Sequence, residues 1–435
     1  RANLFNADIS PEQEFLYAHN LTPCTWIDLD TLTPVKKTKK RLKAARIEIE
    51  TLHDMRKFPG TPLRSLRLNG EGYFGHERAV LEKFVELFNR EDPDILILDY
   101  SHRVLPFLIQ KCEHYNIDFT FHRFDPVPIR YRGGKSFFSY GRVSFKDFPV
   151  RLHGRLLVDS TAVVAQECDD LGIMELCELS GSRFQTVASR SFGSVFQGAL
   201  LREMYKRNYL IPFKQKPVDQ PLSLQELIKA DRVGLVMDPE VGLHRDVAEI
   251  DFSSMFPHII YEHNVSAETI IRPKGKCRQV PGLTLSISHE TRGVVPTAVK
   301  PLIDRRMKHK EEDSTSRIVQ GLKWVLVTSY GYLRFREFKL GAASSHMAIG
   351  AYARELLIDA ICICEEEGFE VIHGIVDALY IKKKGITKEE VDRVCTRITK
   401  ETKIPMFNEG LFDWIVFLPS INNAEKPVPT RYYGV

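Results

Sequence analysis

Asp246–Ser266 reads DVAEIDFSSMFPHIIYEHNVS. Val247–Ile250 is a short apolar-leaning run suited to the end of a strand. Asp251 follows, where such a strand reaches a cleft. From Ser253 to Ile260 the chain becomes an apolar segment carrying Met255, Phe256, Pro257, Ile259 and Ile260. A carboxylate on the last residue of a buried strand is costly unless it is paired. Where the ligand is oxygen, a divalent cation is the usual partner. The local pattern equally allows Asp251 to cap the helix that follows.

The chain has 435 residues, 43% of them hydrophobic and 27% charged. That is an ordinary globular composition with room for several domains. A net charge of +4 does not announce a nucleic-acid binder. Basic residues cluster locally, in Lys36–Arg46, in RRMKHK at Arg305–Lys310 and in the Lys382–Lys384 triplet. Each cluster suits phosphate contacts, or is simply a solvated face. Eight scattered cysteines include no Cys-x-x-Cys pair, which argues against a zinc or iron–sulfur site. Cys362 and Cys364 fall in an apolar helical run and read as core thiols. There is no signal-peptide pattern and no apolar run near the roughly 18 residues of a membrane span. A reducing cytoplasm is the simplest setting.

Residues 1–40 do not make a complete domain, and the start at Arg1 implies preceding sequence. Residues 41–180 alternate strand and helix signals: a strand at Ala44–Leu52, a helix at Glu77–Arg90, a strand at Ile95–Leu98, a helix at Val104–His114 and a strand at Arg155–Asp159. This is the pattern of an α/β layer. Residues 181–240 link to the segment around Asp251, with a helix at Gln197–Asn208 and a Pro-bearing loop at Phe213–Leu222. Ile270–Gly293 reads as a loop or small insertion. Val294–Arg336 predicts two helices, the second from about Ser316 to Ser329. A long helix follows at Lys339–Glu366, with Ala348, Tyr352, Leu356 and Ala360 on one stripe. Glu370–Ile372 and Leu379–Lys382 flank a hairpin tip, His373–Ala378. A helix at Thr387–Thr402 and a strand at Ile415–Leu418 complete the pattern.

Asp251-Phe252-Ser253-Ser254-Met255-Phe256-Pro257-His258-Ile259-Ile260, with Asn264-Val265-Ser266 after it, resembles motif A of family B DNA polymerases, nearest to the archaeal paralogue with degraded exonuclease motifs. The resemblance implies an α/β and α+β multidomain fold. Its parts would be an N-terminal remnant at 1–40, a ribonuclease-H-like exonuclease domain at 41–180, a linker at 181–240, a palm at 241–293 and 338–435, and helical fingers at 294–337. The family's thumb would lie outside these residues. It further implies that Asp251 and Asp377, beside Phe252, bind two Mg²⁺ ions, with Mn²⁺ as a substitute. Phe256 would sit under the sugar and exclude a 2′-hydroxyl. Arg306, Lys310 and Lys323 match the positions that grip a triphosphate, a role positive charge and donors suit. Tyr330 and Gly331 would lie beneath the nascent base pair. Arg431 and Tyr432 resemble the basic-aromatic segment that holds primer–template DNA.

Several positions depart from the family. Ile375 stands where motif C has its first Asp, and Asp377 keeps the second. Val327 replaces the usual Asn, and His258 the usual Ser. In the exonuclease motifs Glu48-Ile49-Glu50 replaces Asp-x-Glu, Arg103-Val104 replaces Phe-Asp, and the third motif has no clear match near Cys168–Cys177. Glu48 and Glu50 then read as exposed strand residues. The expectation is a DNA-templated DNA polymerase without proofreading, suited to a lesion-tolerant or accessory role. Its partners would be primer–template DNA, deoxynucleoside triphosphates and a sliding clamp or another polymerase subunit. The setting would be cytoplasmic and nucleoid-associated, with no membrane. The rival is a DNA-binding scaffold descended from a polymerase. A third reading is a nuclease using Glu48, Glu50 and another acid.

Overall fold

The computed structural model describes all residues except 1–3, 24, 36–41, 56–59, 130–134, 140–141, 147–149, 214–218, 220 and 336. It divides into two compact units: Ser10–Gly198 with Asp313–Gly321, and Ala199–Glu312 with Leu322–Val435 and Arg1–Ile9.

The first unit opens with α1 (Pro11–Ala18), whose cap Ser10 accepts from the Gln13 backbone N–H. Its five-stranded sheet has the order β3-β2-β1-β4-β7, from β1 (Ala44–Thr51), β2 (Leu63–Leu68), β3 (Glu71–Phe74), β4 (Ile95–Leu98) and β7 (Leu156–Asp159). The pairs β1·β4 and β4·β7 are parallel, and the others antiparallel. Between them run α2 (Glu77–Glu91), α3 (Ser101–His114) and the hairpin β5 (Lys135–Ser139) and β6 (Arg142–Lys146). Apolar residues of α2 recur at helical spacing, and Phe84 and Phe88 meet Phe119 and Phe121 in a ring cluster that closes the core. After β7 come α4 (Val163–Glu167), α5 (Asp170–Ser180) and α6 (Phe184–Ala188). The hairpins β2–β3 and β5–β6 were not foreseen from sequence, because strands of four to six residues give too short a window for a clear periodic signal.

The chain passes to the second unit within α7 (Phe192–Lys206) and continues through α8 (Leu224–Ala230). There β8 (Val236–Met237) and β9 (Gly242–Phe252) enter a six-stranded sheet of order β15-β14-β9-β13-β12-β8. After β9 come α9 (Met255–Glu262), α10 (Ala267–Ile270), the hairpin β10 (Cys277–Gln279) and β11 (Ser286–Ser288), α11 (Val294–Glu312), α12 (Arg317–Arg334) and α13 (Ala343–Glu366). The remaining elements are β12 (Glu370–Ile375), β13 (Ala378–Lys382), α14 (Lys388–Thr402), β14 (Met406–Ser420) and β15 (Asn423–Gly434). Val247, Ala248, Ile250 and Phe252 of the central β9 are all buried, because both faces of the strand are covered. On one face His373, Tyr380 and Phe417 form a ring cluster. His373 contacts the carbonyls of Met237 and Pro429, tying β12 to β8 and β15.

Several elements differ from expectation. Ile270–Gly293, read as a loop or small insertion, is not loop throughout: it holds the hairpin β10–β11. Tyr330 and Gly331 lie inside α12, which runs on to Arg334. β14 starts at Met406, well before Ile415. Cys362 is exposed, whereas Cys364 is buried as a core thiol should be. Most of the Lys36–Arg46 cluster falls outside the described residues. In the Lys382–Lys384 triplet, Lys382 pairs with Glu370 and Lys383 with Glu390, so those two charges are engaged within the protein.

Asn264 anchors the insertion. It is 2% exposed and left-handed at φ 57°. Its amide donates to the carbonyls of Ser288 (2.8 Å) and Thr291 (2.9 Å), and accepts from the Gly293 N–H (2.8 Å). Asn264→Ala strands three buried backbone groups and places a Cβ-bearing residue less tolerant than Asn at positive φ. The expected loss is about 3 kcal/mol in urea unfolding. A loss below roughly 1 kcal/mol would mean that water replaces the amide.

Candidate active site

Asp251 lies next to the end of β9, and its register partner is Ala378, the residue after Asp377. The Phe252 N–H donates to the Asp377 carbonyl at 2.9 Å. These contacts bring the two acids together at one end of the central strand pair. Asp251 does not cap α9: the cap is Ser254, at φ 51° and without a side-chain bond to the helix. Burial raises the Asp251 carboxyl to about 8, and Asp377, Glu409 and Glu249 push the same way. Burial raises Asp377 as well. Two half-buried carboxylates that each resist ionisation lack sufficient positive charge, and hard oxygen donors of this kind fit Mg²⁺ or Mn²⁺. Among the described residues no three His, Cys, Asp or Glu side chains converge on one point. Asp251 and Asp377 are the two acids that the β9–β13 pairing brings together.

The hairpin tip is tighter than the sequence predicts. β12 and β13 run to Ile375 and from Ala378, leaving only Val376 and Asp377 between them. Val376 is at φ 59°, a costly conformation for a β-branched residue. The Asp377 N–H donates back to the Ile375 carbonyl at 2.7 Å, a γ-turn. The Val376 N–H donates to the Leu235 carbonyl at 2.9 Å. A Cβ on Gly234 would come within 2.9 Å of the Val376 side chain. The position of Asp377 thus depends on the strand beside it.

On the α11 side, Arg306 donates to the Ser254 hydroxyl. Burial lowers its affinity for the proton, while Asp251 and Glu409 oppose that shift. The Arg306 Nε is buried with no hydrogen-bond partner among the described residues, a donor available to an oxyanion. Lys310, one turn on, lies over the Phe407 ring and acts on Asp251. Lys323 is exposed on α12, and no contact joins it to Arg306 or Lys310 among the described residues. Phe256 stacks on Tyr330 at 4.2 Å and 22°. Gly331 is exposed. On β15, Arg431 is exposed and Tyr432 bonds to Tyr380 Oη at 2.7 Å. His258 is buried and bonds through its ring to the Ser254 carbonyl, supporting the turn after Asp251.

Glu409 was missed from sequence. It lies where the β14–β9 register shifts, between Asn408 and Gly410, and it acts on both Asp251 and Arg306. A bulged residue escapes a period-two reading.

Comparison with known proteins decides the lineage. The profile described as DNA polymerase family B matches residues 184–412. The chain belongs to DNA polymerase family B. DNA polymerase 2 of Saccharolobus solfataricus is 31% identical over 261 residues, covering 60% of this chain and 40% of that one. The DNA polymerase of Archaeoglobus fulgidus is 24% identical over 406 residues, covering 79% and 50%. The chain thus spans about half the length of these family B relatives. The solved family B DNA polymerase of Pyrobaculum calidifontis shares the fold, with a TM-score of 0.68 at 19% identity, over 99% of this chain and 66% of that one. Among the described residues no helix is long and apolar enough to cross a membrane.

Proposed function

We propose that the chain is the core of a DNA-templated DNA polymerase. The observation that carries this reading is the pairing of β9 with β13, which sets Asp251 beside Asp377 under Arg306 and Lys310. In this reading the second unit is a palm with α11 and α12 as fingers, and the first is a ribonuclease-H-like exonuclease domain. Asp251 and Asp377 would hold two Mg²⁺ ions. When bound, the metals lower the pKa of the primer 3′-hydroxyl and neutralise the triphosphate and departing pyrophosphate. Arg306 and Lys310 supply donors to the phosphates, with Lys323 as the third cation of the set. Phe256 forms the wall beneath the sugar. Tyr330 and Gly331 lie under the base pair, and Arg431 and Tyr432 contact the DNA. The partners are primer–template DNA and deoxynucleoside triphosphates, with a sliding clamp or another polymerase subunit as a further partner. A DNA substrate puts the protein with the nucleoid in the cytoplasm.

Proofreading is absent in this reading, which suits a lesion-tolerant or accessory enzyme. Glu48 and Glu50 are exposed on β1, and Glu50 accepts from Ser65. A cavity of about 390 Å³ in the first unit is lined by Glu48, Asp54, Asp99, Arg103 and Val104. A 5′-labelled single strand with Mg²⁺ should stay full length over hours, and 3′ trimming abolished by Glu48→Gln would overturn this.

The polymerase reading itself is tested by primer extension with the full-length protein, Mg²⁺ and all four deoxynucleotides. Extension is expected. No extension under Mg²⁺ or Mn²⁺, with primer–template binding intact, would favour the DNA-binding scaffold.

A further inference from the structure

Three rings from three helices form one column. Phe256 of α9 stacks on Tyr330 of α12, and Tyr330 stacks on His346 of α13 at 4.1 Å and 18°. Tyr330 is 9% exposed and His346 7%. The Tyr330 hydroxyl is buried with no hydrogen-bond partner among the described residues. No hydrogen bond therefore fixes this ring in place. The aromatic faces on either side of it do that. His346 rests on a helix turn whose neighbours Ser344, Ser345, Met347 and Ala348 are all buried, so its backbone is held by the core. Burial, with Arg334 adding to it, lowers the imidazole to about 4, and the ring presents a neutral face at physiological pH. Phe256, at the other end, is only partly buried.

An apolar wall rejects an added hydroxyl weakly unless it is rigid, because a shift of under an ångström makes room for it. The Phe256 ring is backed by Tyr330, and Tyr330 in turn by His346. Removing the imidazole leaves a void behind Tyr330, which has no polar anchor to resist moving into it.

We propose that His346 is a specificity-determining positioning residue, which backs Phe256 through Tyr330 and so sets discrimination against ribonucleotides. The inference rests on the polymerase reading above. No substrate touches His346 in this arrangement, and it acts only through the two rings in front of it.

The experiment compares kcat/KM for dATP and ATP in primer extension by the full chain, as wild type, His346→Ala and His346→Phe. The wild type should prefer dATP. His346→Ala should lower the dATP:ATP ratio about tenfold, mainly by lowering KM for ATP, while kcat/KM for dATP stays within about threefold. His346→Phe, which restores a stacking face, should return the ratio to the wild-type value. A general structural defect would instead lower both substrates together. If His346→Ala does not fold, His346→Leu supplies similar bulk without a planar face and should show the same loss. An unchanged ratio in the folded Ala or Leu variant overturns the proposal, as does a Phe variant that fails to restore it or a wild type that does not discriminate. A wild type that extends no primer overturns the polymerase reading, and this inference with it.

Discussion

Asp251→Asn should melt several degrees above the parent at pH 8.5 without metal, and should extend no primer. The carboxyl is raised to about 8 in the folded protein, first by burial and then by Asp377, Glu409 and Glu249. A group with a raised folded pKa binds its proton more tightly when folded. Its contribution to stability is therefore present at low pH and is lost as pH rises from the unfolded value of about 4 through about 8. The full shift corresponds to roughly 5 kcal/mol, and partial solvent access reduces it to on the order of 2 kcal/mol. Asn carries no such penalty, so the gap between variant and parent should open with pH and close toward pH 4. Mg²⁺ should narrow it at pH 8.5, because only the parent gains a ligand. If the polymerase reading holds, extension should fall below detection, by roughly 10³-fold or more, because that reading gives Asp251 the charge that organises phosphoryl transfer. Equal melting at pH 8.5 would show that Asp251 is more solvated than its surroundings imply. Retained extension would remove it from catalysis.

Arg306→Ala should lower kcat/KM for nucleotide by about 10²-fold, chiefly through KM, with the fold intact. The guanidinium is half-buried, faces Asp251 and Glu409, and keeps its Nε unpartnered. A charge-assisted contact to phosphate in such a setting is worth roughly 2–3 kcal/mol. Arg306→Lys should recover only part of the loss, because an ammonium lacks the planar fork. Arg306→Ala should also raise the apparent pKa of Asp251 further, because the acid loses a cationic neighbour, and should weaken Mg²⁺ binding less than it weakens nucleotide binding. Nucleotide affinity measured on a terminated primer separates these effects. An unchanged KM would assign Arg306 to holding Ser254 alone.

Much of the second unit was legible because its signals are local. The apolar stripe of α13, the helix α14 and the strand-to-helix transition at Asp251 each follow from a few neighbouring residues. The pairing of Asp251 with Ala378 does not, since register between distant strands is set by turns and burial that no single stretch encodes. β14 was read only from Ile415, because its first half alternates between exposed and half-buried residues and includes Gly410. Glu409 was invisible for the same reason, standing at a register shift. The basic clusters were ambiguous in sequence and differ in the structure. Lys382 and Lys383 are neutralised by glutamates, while Arg306 and Lys310 of the RRMKHK run face the acids. His346 offered no signal, since a histidine on a buried helix looks like any other core residue until its ring neighbours are known.

Val376 bears on how portable this site is. Its left-handed backbone is held by Leu235 and by the absence of a side chain on Gly234, not by its own preference. The position of the Asp377 carboxylate at the hairpin tip is therefore a property of two distant segments together. Grafting Ile375–Ala378 into another sheet would carry the letters of the hairpin without its shape, and writing an Asp at position 375 would not reshape the tip while Gly234–Leu235 stayed as they are. The unit a designer must move is the hairpin together with Gly234–Leu235 and the strand that follows them.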